Sequence, residues 1–149
     1  YLLTTEQCSE ALLTQVFSPR IAAPEVFRQF VYAWLTGNGD LHAKNLSIVE
    51  NRKGQYELSP IYDIPSTAPY GDKSMALLLS GKKDGLSRRR FLTFAHNIGV
   101  SSRVAEHVLE EVLTGTEHLT EQAREELPFD SHRMKELIKV LKNRRRSLL

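Results

Sequence analysis

An apolar stripe that ends abruptly constrains this chain more than any other feature. Phe27, Phe30, Val31, Trp34 and Leu35 fall at i, i+3, i+4, i+7 and i+8, the spacing of one face of an α-helix. A stripe so wide requires a helix packed on other elements. Pro24 stands where a first helical turn tolerates proline, and Gly37-Asn38-Gly39 punctuates the chain and stops the helix. Together with Asp40-Leu41-His42-Ala43-Lys44-Asn45, those three residues form the densest polar cluster in the sequence. Apolar Leu46-Ser47-Ile48-Val49 closes the cluster on its other side. A loop pinned at both flanks is held rigidly, and loops on rigid supports are where chemistry is usually carried.

The remaining sequence sorts around that loop (38–45). Residues 1–37 read as helical, with Thr4 or Thr5 placed to cap a first helix carrying Ala11, Leu12, Leu13 and Val16. In 46–86 the character changes. Strand-like Leu46 to Val49, a turn at Asn51-Arg52-Lys53-Gly54 and a returning strand from Tyr56 to Ile61 precede a third apolar segment, Met75 to Leu79. The basic turn Gly81-Lys82-Lys83-Asp84-Gly85 follows. Over 87–149 helical spacing returns: Phe91, Phe94, Ala95 and Ile98 share a face that ends near Gly99. Ser101 or Ser102 caps the next helix, which turns Val104, Val108 and Val112 inward and ends at Gly115. A short acidic helix falls near 117–127, and Met134, Leu137, Ile138 and Leu141 line the last one. The expected fold is mainly α with a small antiparallel β insert, in one domain over 1–149.

Composition acts mostly by exclusion. With 149 residues, 41% hydrophobic and 26% charged, the chain is long enough for a core and too balanced for wholesale disorder. A net charge of +2 selects no class of partner. No apolar run approaches the ~20 residues that span a bilayer, and nothing N-terminal resembles a signal peptide. The lone Cys8 has no partner for an internal disulfide, so a reducing cytoplasm is the expected location. The chain starts at Tyr1 rather than Met, and a piece of a longer protein is expected.

Asp40 and Asn45 lie five apart, the Asp-to-Asn interval of protein-kinase catalytic loops. In that arrangement the Asp orients a hydroxyl nucleophile and accepts its proton, while the neutral Asn oxygen helps to hold Mg²⁺. Phosphoryl transfer needs a second hard oxygen ligand. Asp63 is the candidate, because a hairpin from 46 to 61 folds the chain back and returns it beside Asn45. Each residue also has an ordinary reading. Asp40 suits a turn, His42 a backbone hydrogen bond, Lys44 a solvated surface and Tyr62 the core.

The string Gly39-Asp40-Leu41-His42-Ala43-Lys44-Asn45-Leu46-Ser47-Ile48, followed by Ser59-Pro60-Ile61-Tyr62-Asp63-Ile64, resembles the HipA family of bacterial Ser/Thr kinase toxins over nearly the whole chain. That family carries a D-x-H-x-K-N loop and, after a hairpin, a P-x-Y-D segment. The resemblance implies the C-terminal helical lobe of a kinase fold related to phosphoinositide kinases. It makes Asp40 the catalytic base, and Asn45 and Asp63 the magnesium ligands. His42, Ala43, Lys44, Asn45, Tyr62 and Asp63 become ATP contacts, with Tyr62 near the base and ribose. It further implies a HipB-like antitoxin acting with operator DNA, and a protein substrate such as glutamate–tRNA ligase. Leu41 departs from the Gly of many relatives. No Gly-rich phosphate-cradling run followed by Lys is found, so an N-terminal lobe is missing from this chain, and the chain alone is expected to transfer phosphate poorly or not at all.

Other readings compete. Aminoglycoside- and choline-type small-molecule kinases share G-D-x-H-x-x-N, but Asn38 stands where they carry His. Calcineurin-like phosphoesterases need G-N-H and G-H-x-H elements that do not occur here. A catalytically silent module that binds antitoxin or DNA has no need of Asp40, Asn45 and Asp63 together. Trp34 and the phenylalanines at 27, 30, 91 and 94 are expected in the core. The basic runs Arg88-Arg89-Arg90 and Lys139, Lys142, Arg144, Arg145, Arg146 are expected to be solvated faces, with DNA contact as the sharper alternative. Cys8 has no neighbour that argues for reactivity, and His96, His107, His118 and His132 lack metal-ligand spacing.

Overall fold

Helix α1 (Thr5–Leu13) starts on a reciprocal cap: Thr4 Oγ1 accepts from the Gln7 amide, and Gln7 Oε1 accepts from the Thr4 amide. These details come from a computed structural model that describes residues 3–149; the first two residues of the 1–37 helical segment lie outside the described residues. Helix α2 (Pro19–Thr36) begins earlier than Pro24 suggests. Ser18-Pro19 supplies the N-cap and the preset first turn, and Pro24 sits inside the helix. Pro24 cannot donate to the Arg20 carbonyl, and the loss falls near the helix start, where burial of Ala22, Ala23 and Val26 outweighs it. At the other end Gly37, at φ +74°, donates to the Trp34 carbonyl and Asn38 to that of Ala33, the Schellman pattern.

A 3₁₀ turn (Ala43–Asn45) leads into an antiparallel hairpin of β1 (Ile48–Glu50) and β2 (Tyr56–Leu58), in register Ile48↔Leu58 and Glu50↔Tyr56. The strands are shorter than the runs 46–49 and 56–61. Pairing ends where the Ser59 amide donates to the Ser47 carbonyl, because Pro60 has no amide to continue it. Asn51 Oδ1 accepts from the amides of Lys53 and Gln55 and shapes the turn. A second 3₁₀ turn covers Ala68–Tyr70. Met75 to Leu79 bends at Ala76 and Leu77, with Met75, Leu77 and Leu79 buried, and it forms only isolated bridges, at Leu78 and Leu79, outside the sheet. The Leu78 carbonyl accepts from the Thr5 amide, the Met75 amide donates to the Lys83 carbonyl, and Leu79 and Lys82 exchange a pair of backbone bonds.

Helices α3 (Arg88–Asn97), α4 (Ser102–Gly115), α5 (Leu119–Glu126) and α6 (Ser131–Leu148) complete the chain. Gly99, at φ +84°, ends α3 with the same bond pattern that Gly37 gives α2. Val104 does not face inward. A four-residue step advances about 40° around a helix, and the buried stripe of α4 runs through Ala105, Val108, Leu109, Val112 and Leu113, leaving Val104 39% exposed. In the main core, α2 lies among α1, α3, α4 and α6. Phe94 meets Phe30 edge-on at 5.5 Å and Phe27 at 6.2 Å, and Trp34 lies 6.4 Å from Phe91. A second, smaller cluster joins Ala68 and Ala123 to Leu137, Ile138, Val140 and Leu141 of α6.

The basic runs are only partly solvated. Arg88 pairs with Glu106 and Glu110 of α4 and donates to the Leu148 carbonyl. Arg145 donates to the Leu113 carbonyl. Arg144 is 3% exposed, because α6 turns it against Trp34 rather than outward.

Candidate active site

The helix stop at Gly37 begins a loop whose shape depends on close approach. A Cβ on Gly39 would stand 2.3 Å from Thr67 Oγ1 and 2.6 Å from the Ser74 carbonyl, so only glycine lets the loop rest on the 67–74 segment. The Gly39 amide donates to Thr67 Oγ1 at 3.0 Å, and the Thr67 hydroxyl donates to the Asp72 carbonyl. Asn38 is 2% exposed, and its Oδ1 accepts from the Asp40 amide at 2.8 Å. Leu41 is buried in the main core. Between these two anchors the Asp40 side chain is left exposed.

Asn45 and Asp63, eighteen residues apart, are brought together by the hairpin. Asn45 Nδ2 donates to Asp63 Oδ2 at 3.3 Å and to the Asp40 carbonyl at 3.1 Å. Asn45 is 5% exposed, and its side-chain amide spends its hydrogens on those two acceptors, while its Oδ1 has no hydrogen-bond partner among the described residues. Gln29 of α2 donates to the Asn45 carbonyl and ties the residue to the core. Asp63 adopts φ +54°, a left-handed conformation uncommon for a residue with a side chain. Such backbone strain concentrates where a side chain must be aimed.

The other expected contacts fall around this pair. His42 Nε2 stands 3.9 Å from Asp40 Oδ1, whereas its Nδ1 is buried with no hydrogen-bond partner. A polar atom left in that state costs about 1–3 kcal/mol. Tyr62 is not core: it is 42% exposed and its hydroxyl donates to the Lys44 carbonyl at 2.9 Å. The Lys44 side chain is exposed. Ala43 borders a largely apolar groove of about 500 Å³, also lined by Leu3, Cys8, Leu12, Leu46 and Ile48. Burial pushes the Cys8 thiol above its usual range, which suits a packing role.

Asp40, His42, Ala43, Lys44, Asn45, Tyr62 and Asp63 are therefore gathered at one place. Sequence reasoning overlooked Asn38, Thr67 and Gln29, which hold the loop in position. Asn38 carried a signal, an Asn two residues before an Asp in a glycine turn; Thr67 and Gln29 carried none.

The hard oxygens of Asn45 and Asp63 form a donor set that fits a magnesium ion. Mg²⁺ takes one or two protein ligands and completes its shell with phosphates and water. Among the described residues no three His, Cys, Asp or Glu side chains are grouped as a closed metal cage.

The family model for the HipA-like C-terminal domain matches residues 3–119. A Haemophilus influenzae protein provisionally named a kinase is 29% identical over 117 residues, 66% of this chain and 34% of its own. Sinorhizobium fredii Y4dM, also provisionally named a kinase, is 32% identical over 109 residues, 70% of this chain and 27% of its own. The chain thus spans about a third or less of the length of these relatives. A chain in the solved complex of Shewanella oneidensis MR-1 HipA, HipB and operator DNA has a similar fold, with a TM-score of 0.72 and 18% identity. The match covers 96% of this chain and 35% of that one. No helix among the described residues is long and apolar enough to cross a membrane. By its match over residues 3–119, the chain belongs to the HipA-like C-terminal domain family.

Proposed function

We propose that this chain is the base- and cation-holding lobe of a HipA-type protein kinase that moves the γ-phosphate of ATP to a Ser or Thr hydroxyl. The observation that carries the reading is the meeting of Asn45 and Asp63 at 3.3 Å beside the Asp40 loop. Asn45 Oδ1 and the Asp63 carboxylate hold Mg²⁺, which when bound neutralises charge on the nucleotide phosphates. Asp40 orients the substrate hydroxyl and accepts its proton at the carboxylate. His42 steadies Asp40 from one side. Lys44 meets phosphate, with its backbone braced by Tyr62, and Tyr62 itself lies near the base and ribose. The groove at Ala43 offers the apolar surface on which a nucleotide base rests.

An N-terminal lobe supplies the phosphate-cradling loop and the strand lysine, so this chain alone is slow or inert. The partners we propose are a HipB-like antitoxin with operator DNA, the components named for the Shewanella complex. The proposed substrate is an aminoacyl-tRNA synthetase such as glutamate–tRNA ligase.

Intact mass after Mg²⁺-ATP incubation tests the proposal, using the chain alone and the chain joined to the N-terminal part of a family relative. A gain of about 80 Da, one phosphoryl group, is expected in the joined form and absent from its Asp40→Ala variant. A gain that survives Asp40→Ala overturns the assignment. So does a chain in which Mn²⁺, used as a paramagnetic probe, leaves the amide signals of Asn45 and Asp63 unchanged.

A further inference from the structure

We propose that Arg144 of α6 is a positioning residue for the Asp40 loop, a clamp that joins the end of α2 to the 72–74 segment on which Gly39 rests. Its place in catalysis rests on the function proposed above; its place in the structure does not.

A guanidinium at 3% exposure needs partners, because an unpaired buried charge is among the costliest groups a fold can hold. No carboxylate lies within salt-bridge distance of Arg144 among the described residues. Nη1 donates instead to the Trp34 carbonyl at 3.0 Å and Nη2 to the Lys73 carbonyl. The guanidinium carbon sits 4.1 Å from the centre of the Trp34 ring. Burial lowers the Arg144 pKa to about 10, with Asp84 and Asp72 opposing the shift, so the group is charged at neutral pH.

Both carbonyls lie one short step from the Asp40 loop. Trp34 O belongs to the last turn of α2, where the helix dipole favours a cation, and it also accepts from the Gly37 amide that starts the loop. Lys73 lies between Asp72, whose carbonyl accepts from Thr67, and Ser74, whose carbonyl is in close approach to Gly39. The two supports of the loop therefore meet on one planar fork. A buried charge is a poor way to gain stability alone, since an apolar side chain of similar volume usually does as well. A fork that reaches two separate carbonyls does what an apolar residue cannot, which is to fix their relative position. Arg144 also lies beyond residues 3–119, so the family match alone does not point to it.

Amide hydrogen exchange of the chain, read by NMR, tests the clamp. The Gly39 and Asp40 amides are both hydrogen-bonded and report on the loop, whereas Val108 and Leu109 of α4 report on the main core. In Arg144→Met, exchange at Gly39 and Asp40 is expected to rise roughly tenfold while α4 stays within about twofold. Arg144→Lys, which keeps the charge and reaches one carbonyl, is expected to fall between Met and wild type, and it carries the test if the Met variant does not fold. Arg146→Met, at an exposed neighbour, is expected to match wild type. Unchanged loop exchange overturns the clamp, and so does an equal rise in α4. Absence of Mn²⁺ broadening at Asn45 and Asp63 in wild type would sink the catalytic reading yet leave the clamp standing. Normal broadening with an indifferent loop would do the reverse.

Discussion

The main core and the α5–α6 cluster are closed by different forces. In the main core, rings from α2 and α3 interlock, and Phe27, Phe30, Phe91 and Phe94 are all fully buried. The second cluster is aliphatic, with two alanines, and Phe129 and Met134 only half-buried at its rim. Polar and aromatic contacts near the surface finish it: Tyr70 lies edge-on to Phe129 at 6.0 Å, Arg133 stands 5.7 Å from the Tyr70 ring, and Lys73 pairs with Glu136. Exposed pairs of that kind contribute about 0–1 kcal/mol each. The main core therefore sets whether the chain folds, and the second cluster sets where the 66–74 segment lies. The Asp40 loop depends on both, since Leu41 enters the first, while Gly37 at the head of the loop closely approaches Ala68 and Leu141 of the second.

The largest effect that tests this contrast is expected from Phe94→Ala. It empties a site enclosed by Phe27 and Phe30, and a loss of about 3–5 kcal/mol is expected in urea unfolding. Both regions should unfold in a single transition. Survival of a native-like α3 after that loss would break the claim that the aromatic interlock holds the fold. Leu137→Ala, in the second cluster, is expected to cost about 2–3 kcal/mol, at the lower end for a core leucine because the cluster has a yielding rim. Exchange in α6 and across 66–74 should rise well ahead of that in α4. If α4 follows to the same degree, the two clusters are one cooperative unit.

The main core was largely legible, because α2 and α3 repeat bulky apolar residues with helical spacing and end on glycines at positive φ. The hairpin was legible too, and its return of Asp63 to Asn45 followed from chain reversal alone. Three things were not. Pro24 resembled a helix start because propensity cannot weigh the burial of Ala22 and Ala23, which lie between it and the true start at Pro19. Val104 matched a four-residue spacing but drifted off the stripe. Arg144 sat in a basic run that composition assigns to solvent, and only the tertiary fold supplies the two carbonyls and the indole ring that bury it. The supports of the loop share that character. Thr67 and Gln29 are ordinary residues in sequence whose partners lie 28 and 16 positions away.

The smallest expected effect concerns the opposite end of α6 from Arg144. Asp130 caps that helix, accepting from the amides of His132 at 3.0 Å and Arg133 at 2.9 Å. The Arg133 amide holds its carboxyl below the usual range, against desolvation and with a smaller contribution from the His132 amide. A carboxylate whose pKa is lower folded than unfolded stabilises the folded state above the unfolded value, ~3.9, and loses that contribution as pH falls through the folded value. The difference in Tm between wild type and Asp130→Ala should thus be constant from pH 7 to about 5 and shrink toward pH 3. A gap that stays constant down to pH 3 would mean that the charge of Asp130 has no part in the cap. At pH 7 the variant should loosen the His132 and Arg133 amides and leave Gly39 as it was. Release of Gly39 by Asp130→Ala would mean that α6 moves as one rigid rod, so that any contact along it grips the loop. Silence at Gly39 would mean that the grip is local to the turn that carries Arg144.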